Sequence, residues 1–227
     1  IEDHFDHSFE LQETLAARGK EKELALVQEL IPRPGRIAYT RQLEPLGLGH
    51  AVWCARSLVG EEPFAVLLAD DLVLADRPCL AQMMDLYAEH GGNLVAVMDV
   101  PRDQTDRYGI LDVVHDDGKV AQAKGLVEKP KPDVAPSTLS IIGRYILHPL
   151  GFEELDRQEK GAGGEIQLTD AMARTIDRIP FHGMRFEGTR FDCGSKAGFL
   201  EANVAFALAR EDLRADAEDI LKRFAPG

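Results

Sequence analysis

Two acidic turns, far apart in the chain, carry the side chains best suited to chemistry. The first is FAVLLADDLVL, Phe64 to Leu74, in which a mostly apolar run leads into Asp70 and Asp71. This pattern predicts a buried strand that delivers carboxylates to the carboxyl edge of a sheet, where open α/β sheets bind ligands. A carboxylate taken out of water needs compensation, and a divalent cation is the usual source. The second turn is RFDCGSKAGF, Arg190 to Phe199, with Asp192 ahead of Gly194, Ser195 and Lys196 at a helix start. A helix N-terminus favours phosphate, so Asp70 and Asp192 are expected to hold one Mg²⁺ over a phosphate group. The plainer alternative is that Asp192 or Ser195 caps the helix. Cys193 has no histidine nearby in sequence to activate it as a nucleophile.

Further motifs suit a nucleotide and a sugar. In RQLEPLGLGHA, Arg41 to Ala51, Gly47 and Gly49 begin a G-x-G pattern, but Val52 stands where a dinucleotide fingerprint needs its third glycine. What remains is a glycine turn opening a helix, where backbone approaches a flat ligand closely. Gln42 offers a donor and an acceptor to a base edge. A plain strand-to-helix turn with a surface glutamine explains the same residues. In GLVEKPKPD, Glu128 suits two adjacent sugar hydroxyls and Lys129 suits a phosphate; a solvated charge pair in a proline-rich loop is the alternative. Gly109 in RYGILD lets a ring lie on the backbone or marks a bend. Glu165 in GGEIQLTDAM is a substrate contact or a structural residue, beside a capping-type Thr169. His4 and His7, at i, i+3 spacing near the start, suit a metal ion, but a surface pair is the preferred reading.

The elements that must position these residues follow from periodicity and punctuation. Helices are expected at Phe9–Arg18 and Glu21–Leu30, then a short strand at Arg36–Arg41 and a helix through Ala51–Leu58. The strand Phe64–Ala69 precedes a helix Arg77–His90, with Asp76 as its cap and Gly91-Gly92 as its stop. Asn93–Val100 is a near-continuous apolar run, as in a strand covered on both faces. The alternation implies an α/β fold with a doubly wound, mostly parallel but mixed sheet. Asp116-Asp117-Gly118 marks a hairpin between Gly109–Val114 and Lys119–Val127. A strand at Leu139–Leu147, helices at Gly151–Glu159 and Leu168–Asp177, a strand at Met184–Gly188 and C-terminal helices over Lys196–Arg223 complete the reading.

At 227 residues the chain is long enough for a full core, and 44% apolar content fits a soluble globular protein. A net charge of −13 argues against non-specific nucleic-acid or membrane binding, which draws on basic patches. Three widely spaced cysteines without a CxxC pair argue against a disulfide framework or a zinc ribbon and fit a reducing compartment. No signal peptide or membrane-spanning run is evident, and a cytoplasmic location is expected.

Taken in order, RQLEPLGLGHA, LVEKP, GEIQLTD and FDCGSK resemble the bacterial UTP–glucose-1-phosphate uridylyltransferases, members of the sugar-1-phosphate nucleotidylyltransferases. The similarity runs to about Asp212. It implies that Gln42 and Gly47 bind uracil, and that Asp70 and Asp192 hold Mg²⁺. It implies that Gly109, Glu128 and Lys129 bind glucose 1-phosphate, with Lys196 as a further phosphate contact; Asp71 has weaker support, because relatives often carry an uncharged residue there. The family's G-x-G-T-R…P-K loop is absent from the sequence and would precede Ile1. One nucleotidyltransferase domain without its first strand and loop is therefore expected over 1–227, inactive unless the full-length protein supplies them. The resemblance also implies a homo-oligomer, dimer or tetramer, with the C-terminal helices as an interface. Three other readings stay open: a sister enzyme using dTTP or another nucleotide, a nucleotide-sugar-dependent glycosyltransferase, and a non-catalytic module. Wide separation of Asp70 from Asp192 would favour the glycosyltransferase.

Overall fold

The computed structural model describes residues 2–33 and 35–224, and the chain divides into two compact units, Ile1–Leu43 and Glu44–Gly227. The first unit is a pair of helices, α1 (Phe9–Ala17) and α2 (Glu21–Glu29). Gly19, at φ 65°, ends α1: its amide bonds to the Ala16 carbonyl and that of Lys20 to the Leu15 carbonyl. This double bond satisfies carbonyls left over at a helix end and needs the left-handed conformation that glycine adopts freely. Neither helix buries a residue within the described structure. The expected strand at 36–41 does not form: Ile37 and Tyr39 are exposed, and no ladder is present there among the described residues.

The second unit holds β1 (Phe64–Leu67), β2 (Asp71–Leu74), β3 (Asn93–Asp99), β4 (Gly109–Asp116), β5 (Val120–Glu128), β6 (Leu139–Leu147), β7 (Phe181–Arg185) and β8 (Thr189–Asp192). Six strands form one sheet in the order β1-β6-β3-β7-β5-β4, and β2 pairs with β8 in a separate ribbon. The sheet is mixed, as expected, but only β3–β7 is a parallel pairing. The expectation of mostly parallel pairing fails for an identifiable reason. β1 and β3 do run the same way, as a strand–helix–strand unit requires, but β6 inserts between them and runs against both. β6 is entered from β5 without an intervening helix, so no crossover rule fixed its direction.

Helices α3 (Leu48–Trp53), α4 (Arg56–Val59), α5 (Cys79–His90), α6 (Leu150–Leu155), α7 (Leu168–Ala173), α8 (Lys196–Ala209) and α9 (Arg214–Phe224) complete the unit. Alternate residues of β3 feed two cores: Val95 and Val97 pack with Val52, Phe152 and Leu168, whereas Leu94 and Ala96 pack with Cys79 and Met83 of α5. An apolar side chain on each face explains the unbroken run of β3. In that core the Cys79 thiol is pushed up to about 11, by burial first and against the pull of Arg144. Helix starts depart from expectation. Pro78, not Asp76, precedes α5, and α3 begins at Leu48 directly after Gly47. Among the described residues no helix is long and apolar enough to cross a membrane.

Candidate active site

The chain leaves β1 at Leu67 and turns through Leu68 to Asp70 into β2. Arg144, a lone cation within the apolar strand β6, clamps this turn: its guanidinium donates to the carbonyls of Leu68, at 3.0 Å, and of Asp71. The Leu68 amide adds a 2.9 Å bond to the Gly143 carbonyl. With its backbone fixed, Asp70 keeps an exposed carboxylate in a cavity of about 330 Å³. Asp192 ends β8 on the same wall, and the amide of the next residue, Cys193, donates to the Asp70 carbonyl at 2.7 Å.

The two carboxylates converge. The position a Cβ on Gly194 would take lies 3.1 Å from Asp192 Oδ1 and 3.4 Å from Asp70 Oδ2. The two oxygens are therefore no farther apart than the sum of those distances, and Asp192 Oδ1 also accepts from the Gly194 amide at 3.1 Å. Among the described residues no cluster of three or more metal-ligating side chains exists. Two carboxylates suit Mg²⁺, which takes one or two from the protein and completes its shell with water and substrate phosphates. The donor set fits that ion.

Asp71 has a different place. It is buried, with Oδ2 accepting from the Gly143 amide at 2.6 Å and Oδ1 from Arg190 Nε. Both oxygens are occupied by protein donors, which corrects the weaker idea of Asp71 as a ligand. Burial opposes the Arg190 charge, but the hydrogen bond and charge of Asp71, with those of Tyr108, together offset it and raise the guanidinium above its usual range.

Across the cavity stands the hairpin of β4 and β5, which pairs Gly109 with Glu128. A Cβ on Gly109 would sit 3.1 Å from Thr169 Oγ1 and 3.3 Å from Glu128 Oε2, so the glycine keeps a polar corner open. Lys129 follows at φ 47°, a conformation that costs a non-glycine residue about 1–3 kcal/mol. Its amide bonds the Tyr108 carbonyl at 3.0 Å and its ammonium lies 3.5 Å from Glu128. Arg107 also lines the cavity, 3.8 Å from Asp192 Oδ2. Carboxylates and cations thus face one another across a space open to a polyanion. Burial first, then the charges of Asp71, Glu128 and Asp70, push the Tyr145 hydroxyl on the floor well above its usual range.

The remaining expected residues lie as follows. Gly47, at φ 107°, packs so closely that a Cβ would be 2.8 Å from both Glu165 Cβ and the Ile166 carbonyl. Two backbone bonds latch this turn to the GEIQ segment: Ile166 amide to Leu46 at 2.7 Å, and Gly49 amide to Ile166 at 2.9 Å. Beyond Gly47, Leu48 lines the cavity. Glu165 is exposed and accepts from Gln167, and Thr169 lines the cavity instead of capping α7. Lys196 opens α8 on the surface, and Ser195 caps that helix through the Gly198 amide at 3.0 Å. Gln42 is half-buried in the first unit.

Arg190, Arg144, Tyr108 and Arg107 were not singled out from the sequence. A signal existed for two of them. Arg144 is the one charge in LSIIGRYIL, and Arg190 lies two residues before Asp192, hence on the same face of a strand.

A mixed sheet with two convergent carboxylates at a cavity suits a nucleotide-transferring enzyme, and the chain belongs to the nucleotidyl transferase family, whose sequence model matches residues 6–208. Within that family it is similar to UTP–glucose-1-phosphate uridylyltransferase of Komagataeibacter xylinus, 53% identical over 194 residues, which are 86% of this chain and 68% of the relative. A UTP-bound UGPase from Acinetobacter baumannii superposes with a TM-score of 0.89 at 37% identity, covering 99% of this chain and 79% of that one. A UDP-glucose pyrophosphorylase complexed with UDP-glucose gives a TM-score of 0.81 at 38% identity, covering 92% and 76%.

Proposed function

We propose that this protein is a UTP–glucose-1-phosphate uridylyltransferase, forming UDP-glucose and pyrophosphate. The observation that carries the reading is the convergence of Asp70 and Asp192 in one cavity opposite Gly109, Glu128 and Lys129. Relatives that carry the activity in their names, and structures described with UTP and with UDP-glucose, support the choice of substrates.

In this reading a phosphate oxygen of glucose 1-phosphate attacks the α-phosphorus of UTP in line, and pyrophosphate leaves on the far side. The nucleophile is already ionised near neutral pH, so the residues position and neutralise rather than abstract a proton. Glu128 accepts hydrogen bonds from the sugar hydroxyls, in the corner Gly109 leaves open. Lys129 neutralises the sugar phosphate. Gly47 receives the uracil, and Lys196 is a further phosphate contact. Asp70 and Asp192 would hold Mg²⁺, which when bound supplies charge neutralisation across the phosphates. The protein is further proposed to work in the cytoplasm as a homo-oligomer, with the exposed Phe199, Leu200 and Ile220 of α8 and α9 as interface residues.

A glycosyltransferase would use a strand-end D-x-D, but Asp70 and Asp71 have no residue between them, Asp71 is already bonded to Arg190 and Gly143, and distant Asp192 stands beside Asp70. The test is pyrophosphate release by the full-length protein with Mg²⁺, glucose 1-phosphate and each of UTP, dTTP, ATP and GTP. Release is expected fastest with UTP, with dTTP next, and should stop on chelation. Folded protein that releases none with UTP would overturn the assignment.

A further inference from the structure

Asp71 and Asp192 stand opposite each other at the end of the β2–β8 ribbon, and one largely buried guanidinium lies beside both. The Arg190 side chain is 11% exposed; Nε donates to Asp71 Oδ1, and Nη2 lies 3.9 Å from Asp192 Oδ2. A guanidinium remains charged wherever it is, and a buried one requires a carboxylate partner. Two partners are within reach, and the pairing goes to Asp71. That residue is itself anchored to the main sheet by the Gly143 amide, while the Tyr108 hydroxyl, at 3.4 Å, holds Arg190 from a further side.

We propose that Asp71 is a positioning residue for the cation site: by retaining Arg190 it keeps that guanidinium from closing on Asp192, whose carboxylate stays available. The proposal rests on the reading of Asp192 as a cation-binding residue given above. Without the Asp71 charge, the nearest carboxylate to Arg190 is Asp192. Closing from 3.9 Å to the roughly 2.8 Å of a charge-assisted hydrogen bond needs only a small side-chain movement. Asp192 would then be neutralised by an internal cation in direct competition with the external one. Arg107, 3.8 Å from the same oxygen, competes less because its side chain is 53% exposed and well hydrated.

The experiment measures Mn²⁺ alone as the probe, on the full-length protein without nucleotide, from the loss of the free ion's spin-resonance signal. Asp71→Asn keeps the volume and an acceptor for the Gly143 amide, and is expected to weaken Mn²⁺ binding by about tenfold or more. Asp71→Asn combined with Arg190→Gln removes the competing cation and should return affinity most of the way to wild type. A double variant as weak as the single one would overturn the proposal, because a merely structural role for Asp71 predicts no rescue. Should Asp71→Asn not fold, Arg190→Gln alone decides: Mn²⁺ should bind at least as tightly as to wild type, and weaker binding refutes the idea. Asp192→Asn separates the two levels of the argument. Unchanged Mn²⁺ binding there would sink the reading of the site. Weakened binding there, with Asp71→Asn unaffected, would sink this inference alone.

Discussion

The amide of Cys193 donates to the carbonyl of Asp70 at 2.7 Å, so the two acidic turns are joined by backbone before any ligand arrives. This bond fixes where the two carboxylates start, and Gly194 leaves them the space between. A methyl at Gly194 would stand 3.4 Å from the Asp70 oxygen, an ordinary contact, and 3.1 Å from the Asp192 oxygen, closer than most, so that the Asp192 carboxylate must give way. Gly194→Ala is expected to raise the half-saturating Mg²⁺ concentration by about tenfold or more while the thermal midpoint stays near wild type. An unchanged Mg²⁺ requirement would show that the space is not used.

Asp70→Asn and Asp192→Asn each keep the size of the side chain and remove its charge. A cation clamp supplies several kcal/mol in the transition state and each ~1.4 kcal/mol is tenfold, so turnover should fall by about a hundredfold or more. Asp70 is exposed and Asp192 half-buried, so unfolding by urea should change little. Near-normal turnover in both variants would remove the assignment.

The polar corner at Gly109 gives a prediction for the sugar. Glu128→Gln weakens charge-assisted bonds worth about 1.5–3 kcal/mol each, so kcat/KM for glucose 1-phosphate should drop about ten- to a hundredfold. Gly109→Ala, whose methyl would lie 3.1 Å from Thr169 Oγ1, should raise the same KM. Neither change should alter the KM for UTP, and a selective loss of UTP binding would reverse the orientation assigned to the two substrates.

His182 of β7 predicts a pH effect remote from the site. Its ring meets His90 at 4.9 Å, its Nδ1 is buried without a hydrogen-bond partner, and burial first and His90 second hold it below the ordinary 6.5. The unfolded chain therefore takes up the proton before the folded one does. The contribution is fully present above pH 6.5 and is lost as pH falls through the lower folded value. The urea midpoint should decline as pH falls from 6.5 towards that lower value, and His182→Phe should flatten this part of the profile. An equal decline in the variant would place the titration elsewhere.

Much of the framework was legible because it rests on local signals. The apolar run of β3, the Asp117-Gly118 hairpin and the stop at Gly91 each depend on a few neighbouring residues. What escaped depends on partners distant in sequence. β6 reads correctly as a strand, yet nothing in Leu139–Leu147 states that it will part β1 from β3. Asp70 and Asp192 stand out as acids in two turns. Asp71 looks the same on paper, and only the Arg190 guanidinium, 119 positions away, distinguishes a buried pair from a ligand. The close packing of Gly47 against Glu165 and Ile166 likewise depends on residues more than a hundred positions away.

The same separation in sequence bears on how the protein acquires its shape. The β4–β5 hairpin closes over a few residues, whereas the β2–β8 ribbon brings Asp71 to Arg190 across 119 positions. Closing so long a loop has an entropic cost that the ribbon's few hydrogen bonds cannot meet before the intervening strands and α5 have docked. The ribbon is expected to close late in refolding, and competence for a cation to appear only after the sheet has formed. Capture of the metal would then report a finished chain, because the two carboxylates meet only where the ribbon has closed.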